Sequence, residues 1–166
     1  MTVTPTPDRA LPGQESVWSF PRPAIAQPST RHLRIVHRET IVAETRQAVR
    51  TIETSHPPTY YFPLADVRAT LVRSPRAGSL CEWKGAAAYF DVSVAGELLR
   101  EVAWSYSHPT AAFASIAGHI AFYATPFDGC FVDGEPVTPQ PGGFYGGWIT
   151  SDLAGPFKGV PASRFW

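Results

Sequence analysis

Apolar and polar positions alternate in short runs along much of the chain, the period of two that sends successive side chains to opposite faces of a strand. Residues 32–36, 39–44 and 48–53 are such runs, carrying Ile, Val and Thr between polar breaks, and they predict a meander. The clearest hairpin occupies residues 88–106. Phe90, Val92 and Val94 share one face, Ala95-Gly96 makes the turn, and the chain returns from Glu97 to Tyr106. Helical signals are brief. Pro109 before residues 110–116 predicts a short helix that Gly118 ends, a second helical turn is expected within residues 64–71, and residues 120–123 read as another strand. Many short strands punctuated by Gly and Pro predict a mainly β fold (β-rich α+β). Curved antiparallel sheets would form an open barrel or sandwich with one or two short helices.

A chain of 166 residues is long enough to bury one core of its own. Its 17 prolines crowd the two ends, where a fixed φ and a missing donor prevent long helices or ladders. The expected organisation is a Pro-rich N-terminal arm over residues 1–30, a β-rich core over 31–137, and a Gly/Pro/aromatic arm over 138–166. The last arm carries Phe144, Tyr145, Trp148, Phe157, Phe165 and Trp166, too aromatic for a solvated linker, so it should pack on the core or on a partner subunit of a homodimer.

Charge narrows the partners. Lys and Arg number 14 against 14 Asp and Glu, which leaves no global field to attract polyanions, and the local set Arg31, Arg34, His37 and Arg38 reads as a solvated strand face. Neither nucleic acid nor a membrane is an expected partner. No apolar run is long enough for a transmembrane helix and the N-terminus lacks a leader pattern, so a cytoplasmic location is expected. Cys81 and Cys130 fit no metal-ligand spacing and read as reduced thiols. No cofactor is implied.

Chemistry concentrates in two short segments, Glu53-Thr54-Ser55-His56-Pro57-Pro58-Thr59-Tyr60-Tyr61-Phe62 and Cys81-Glu82-Trp83-Lys84-Gly85. His56, held out of helical geometry by Pro57, is a candidate acid or base. Cys81 is a candidate nucleophile with Lys84 three residues away to favour the thiolate. Lys84 lies between Trp83 and Gly85, a setting that invites an anionic ligand. Tyr60 and Tyr61, being adjacent, must face opposite sides, whereas Trp104 and Tyr106 share a face suited to a flat molecule; Trp83 and Tyr123 complete the candidate ligand wall. Asp133-Gly134-Glu135 is the nearest thing to an acidic metal pair and reads equally as a polar hairpin turn, so no metal site is assigned.

Four motifs in order, Thr54-Ser55-His56-Pro57-Pro58-Thr59-Tyr60-Tyr61, Cys81-Glu82-Trp83-Lys84-Gly85, Ala103-Trp104-Ser105-Tyr106 and Ile116-Ala117-Gly118-His119-Ile120-Ala121-Phe122-Tyr123, resemble the bacterial domain of unknown function 427 family across residues 31–137. The family usually has Pro where Glu82 stands, and often Tyr or Val at His119 and Ile120. Its nucleotidyltransferase-like label is what the resemblance implies about activity. Neither a phosphate loop nor a dinucleotide fingerprint accompanies it here: Gly142-Gly143 and Gly146-Gly147 follow prolines and suit equally a backbone that turns closely over a groove or a flexible linker.

Two functional readings follow. In one, the chain is a small enzyme acting on a small organic molecule by acid/base or thiol chemistry in a β-lined pocket, with His56, Cys81 and Lys84 as reactive groups and a tyrosine as proton donor. In the other, it is a non-catalytic ligand-binding or subunit-assembly module. The first requires the two segments to converge, whereas the second needs only apolar surface.

Overall fold

A computed structural model describes residues 3–81 and 83–166. In chain order the strands are β1 (Glu15–Ser16), β2 (Ile25–Ser29), β3 (Leu33–His37), β4 (Thr40–Thr45), β5 (Ala48–Ile52), β6 (Thr59–Phe62), β7 (Thr70–Arg73) and β8 (Ser79–Cys81). They continue as β9 (Gly85–Val94), β10 (Glu97–Ser105), β11 (Ile120–Phe122), β12 (Gly129–Val132), β13 (Glu135–Pro136), β14 (Thr138–Pro139), β15 (Trp148–Ile149) and β16 (Leu153–Ala154). Three 3-10 turns, Val17–Ser19, Leu64–Asp66 and Ala111–Ile116, are the helical content of the described residues.

The main sheet has eight strands in the order β2-β5-β6-β11-β10-β9-β7, with β8 also on β9; a four-stranded sheet runs β13-β12-β3-β4. Neither closes into a barrel. Strand alternation makes two distinct faces of the main sheet. On the inner face Tyr60, Phe62, Val92, Val94, Ala103 and Phe122 pack with Leu33, Ile35, Val42 and Val132 of the smaller sheet in one buried core. On the outer face Tyr61, Tyr89, Trp104, Tyr106 and Ala121 pack with Phe113 and Ile116 of the third 3-10 turn. Tyr60 and Tyr61 thus fall on opposite faces, as the period of two requires.

The expected hairpin is β9 and β10, joined by Ala95 and Gly96 with φ of 48° and 77°, the left-handed pair of a tight two-residue turn. Its register shifts between Leu99 and Ala103, where Glu101 has φ 57° and donates its N–H to Asp91 at 2.8 Å. The helix expected after Pro109 is only 3-10, and of residues 64–71 just Leu64–Asp66 coil, because Thr70–Arg73 pair with β9 as an edge strand.

Both arms lie against the core. Residues 138–166 supply Trp148, 1% exposed, whose indole stacks near Tyr60 at 5.7 Å and donates to the Phe122 carbonyl at 3.1 Å. From the N-terminal side, Val17 and Phe20 form a small cluster with Ile52 and Leu153. Three of the basic set from the sequence are paired with carboxylates, Arg31 with Asp133 and Asp152, Arg38 with Glu97 and His37 with Glu97, while Arg34 lies 5.4 Å over Phe131 with its buried Nε unpartnered among the described residues.

Candidate functional site

The outer face of the main sheet does not end in solvent. Between it and the C-terminal arm lies a cavity of about 320 Å³, at the lower end of the range for ligand pockets. Its floor is Tyr61, Tyr89, Trp104 and Tyr106 with Ala87, its rim carries Glu53, His56, Cys81 and Lys84, and its roof is Gln140 with Phe144, Tyr145 and Gly146.

Local chain geometry explains how the two sequence segments meet. After β5 the chain turns over residues 53–56, with the His56 N–H donating to the Glu53 carbonyl at 3.0 Å and Ser55 at φ 72°. Both arms clamp this turn, since Ser55 N–H donates to Val17 and Lys158 N–H to Ser55. The second segment is set by the long β9, which pairs with β7 through Phe90–Ser93 and with β8 through Gly85–Ala87, so Cys81 sits opposite Gly85. Gly85 has φ 106°, and a Cβ there would lie 3.3 Å from the His108 carbonyl oxygen, so the turn that presents Lys84 admits no side chain at this point. Thr110 secures that turn through Lys84 and Trp83 carbonyls.

The His56 ring is held by three partners. Gln140 accepts the Gly147 N–H at its Oε1, which turns its amide nitrogen to donate to the Lys158 carbonyl at 2.9 Å and to His56 Nδ1 at 3.0 Å. Nδ1 is therefore an acceptor, and the neutral ring carries its proton on Nε2, 3.4 Å from the Glu53 carboxylate. Tyr145 meets the ring edge-on at 4.8 Å. Burial alone would raise the Glu53 carboxyl, but the facing His56, then Lys84 and Arg22, hold it below its ordinary value. Lys158, also on the wall, is lowered by burial.

The phenols divide by their partners. Tyr61 accepts from Trp104 Nε1 at 3.4 Å, Tyr89 shares a 2.8 Å bond with Ser79, and Tyr123 donates to the Phe144 carbonyl at 3.1 Å. Tyr106, only 7% exposed, has no such partner among the described residues. Burial pushes the Tyr106 and Tyr61 hydroxyls up, and the nearby Cys81 thiol adds to both shifts, which keeps these phenols protonated.

Seven of the nine residues singled out in the sequence line the cavity: His56, Cys81, Lys84, Tyr61, Trp104, Tyr106 and Tyr123. Tyr60 instead packs in the inner core on Trp148, and Trp83 packs at the margin of the outer aromatic cluster. Sequence reasoning missed Gln140, Phe144, Tyr145, Tyr89 and Lys158 as cavity residues. The aromatic, glycine-paired arm was the available signal for Phe144 and Tyr145; nothing local marks Gln140 or Lys158. Asp133 and Gly134 form a hairpin turn with φ 49° and 81°, where Asp133 binds Arg31 and the His32 N–H, and Glu135 binds Ser151. That pair does not fit a catalytic metal, and among the described residues no three His, Cys, Asp or Glu side chains cluster as ligands. No helix of the described residues is long and apolar enough to cross a membrane.

Fold and cavity together define a mainly β protein with one aromatic, polar-rimmed hollow on the outer face of its larger sheet. The chain belongs to the family described as Domain of unknown function (DUF427), whose model matches residues 25–133. No curated protein matches it.

Proposed function

We propose that the cavity takes up a small, flat organic molecule. The observation that carries this reading is the convergence of His56, Cys81 and Lys84 on one half-enclosed hollow whose floor is a sheet of Tyr and Trp rings. An aromatic floor offers a planar ligand large contact area, while Lys84 and Tyr106 offer polar anchors. His56 serves here as a positioning residue, because Gln140 occupies Nδ1 and Glu53 faces Nε2.

A second reading, a small enzyme working on the bound molecule, is favoured by the placement of Cys81, which is partly exposed on the cavity wall with Lys84. In it Cys81 is the nucleophile. Nucleotidyl transfer draws no support from Asp133 and Glu135, which are committed to the hairpin turn and to Ser151.

Alkylation of Cys81 by iodoacetamide tests the first reading. A panel of small aromatic compounds should contain members that slow it at least 10-fold at saturation, and an unchanged rate with every member contradicts it. For the second, Cys81→Ser keeps ligand binding and loses any conversion of the ligand; conversion undiminished by that substitution contradicts it.

A further inference from the structure

Two hydrogen-bond donors on the cavity wall lack acceptors among the described residues. The Tyr106 side chain is 7% exposed and its hydroxyl, which faces the cavity, bonds no described residue, whereas every other phenol of the floor has a partner. The Lys84 ammonium has the Phe113 ring 5.8 Å away and forms no ion pair with a described residue. The remaining wall cation, Lys158, is directed to the Trp166 carbonyl oxygen at 3.4 Å. Glu53, the wall's carboxylate among the described residues, faces His56 at 3.4 Å and Arg22 at 3.9 Å.

A ligand that fills the cavity takes water away from both donors and must bring acceptors to replace it, so the wall matches a ligand with acceptor oxygens. A cationic ligand would set its charge against Lys84 and find Glu53 already engaged. An uncharged apolar ligand would leave both donors orphaned. The floor adds a shape requirement: Trp104 lies across it, tilted against Tyr123 at 4.7 Å, and the Gly146 backbone presses so closely on the indole that a Cβ there would fall 2.1 Å from its edge. With about 320 Å³ available, the ligand is compact and planar.

We infer that the cavity selects a compact conjugated carboxylate, its ring on the Trp104 and Tyr61 side and its oxygens accepting hydrogen bonds from the Lys84 ammonium and the Tyr106 hydroxyl. This rests on the small-molecule reading above and adds the ligand's chemical class and orientation. Lys84 supplies the charge, which a planar carboxylate meets in a charge-assisted bond. Tyr106 supplies the direction. Burial raises the Tyr106 and Tyr123 hydroxyls, so both stay neutral and do not repel an anionic ligand.

The test is calorimetric titration of the full chain at pH 7 with three probes of the same shape: benzoate, benzamide and benzamidine. Benzoate is expected to bind at least 10-fold more tightly than benzamide, and benzamidine more weakly than either. Lys84→Gln should abolish the preference, so that benzoate and benzamide bind that variant equally; Tyr106→Phe, which keeps the packing, should weaken both about 5-fold. Equal binding of benzoate and benzamide overturns the carboxylate assignment and leaves the cavity reading standing, as does tightest binding by benzamidine. A benzoate preference that survives Lys84→Gln also overturns the assignment. Binding by none of the three overturns both readings.

Discussion

Cys81 and Cys130 have the same chemistry in different surroundings. Cys130 is 4% exposed inside the core between the two sheets, and burial pushes its thiol up to about 12. Cys81 is partly exposed at the cavity. Native chain should therefore consume one equivalent of a thiol reagent such as Ellman's at pH 8 within minutes, and a second only after denaturation. Two native thiols reacting at similar rates contradict the assignment of Cys130 to the sealed core. Glu53 makes a pH prediction. Its folded carboxyl sits below the ordinary 4.5, so the unfolded chain binds the proton first and the contribution to stability is present above about 4.5 and lost as pH falls through the lower folded value. Glu53→Gln should flatten the acid limb of a melting-temperature profile below pH 5. A profile unchanged by the substitution means His56, Lys84 and Arg22 do not hold that carboxylate. Residue chemistry of this kind was legible in the sequence for His56, Cys81 and Lys84, because unusual types crowd two segments. Gln140 was not: an amide acquires meaning only from the backbone groups that orient it, here Gly147 and Lys158.

Among the elements, the β9–β10 hairpin was legible from alternation plus Ala95-Gly96, since both signals are local. The coil at residues 110–116 was placed correctly but not typed, because nothing in a six-residue span separates a 3-10 from an α turn. Tyr60 and Tyr61 show a further limit: alternation requires them to part, yet which one faces the cavity depends on which face the smaller sheet covers. The element that makes the outer face a pocket is the strap of residues 140–147. It is pinned by Gln140 to His56 and by the Phe144 carbonyl to Tyr123, and on its far side lies a second hollow of about 580 Å³ sharing Tyr123, Gln140, Tyr145 and Gly146. The strap is thus a wall between two spaces. Gly146→Ala drives a methyl into the Trp104 ring, an overpacking expected to cost about 1–3 kcal/mol. Denaturant unfolding should show that loss, with faster Cys81 alkylation as the strap lifts. Unaltered stability and an unaltered alkylation rate would show that the strap does not press on the indole.

At the scale of the whole molecule, the larger sheet does two jobs with its two faces. The inner face stabilises the chain by packing on the smaller sheet, and the outer face holds the aromatic floor under a strap contributed by the C-terminal arm. The family match over residues 25–133 covers the floor and rim but stops before Gln140 and the strap. Layering was the hardest property to anticipate, because the choice between barrel and sandwich lies in long-range pairings such as β12 with β3, nearly 100 residues apart, and no local pattern encodes them. The most direct measurement uses the 5 tryptophans, which give one indole N–H signal each in a nitrogen-15 NMR spectrum. Titration with benzoate, with Trp104→Phe to assign its signal, should move the Trp104 indole selectively while Trp148, sealed on the opposite face, stays within the line width. Movement confined to other indoles, or no movement at all, would contradict a ligand site on the outer face of this sheet.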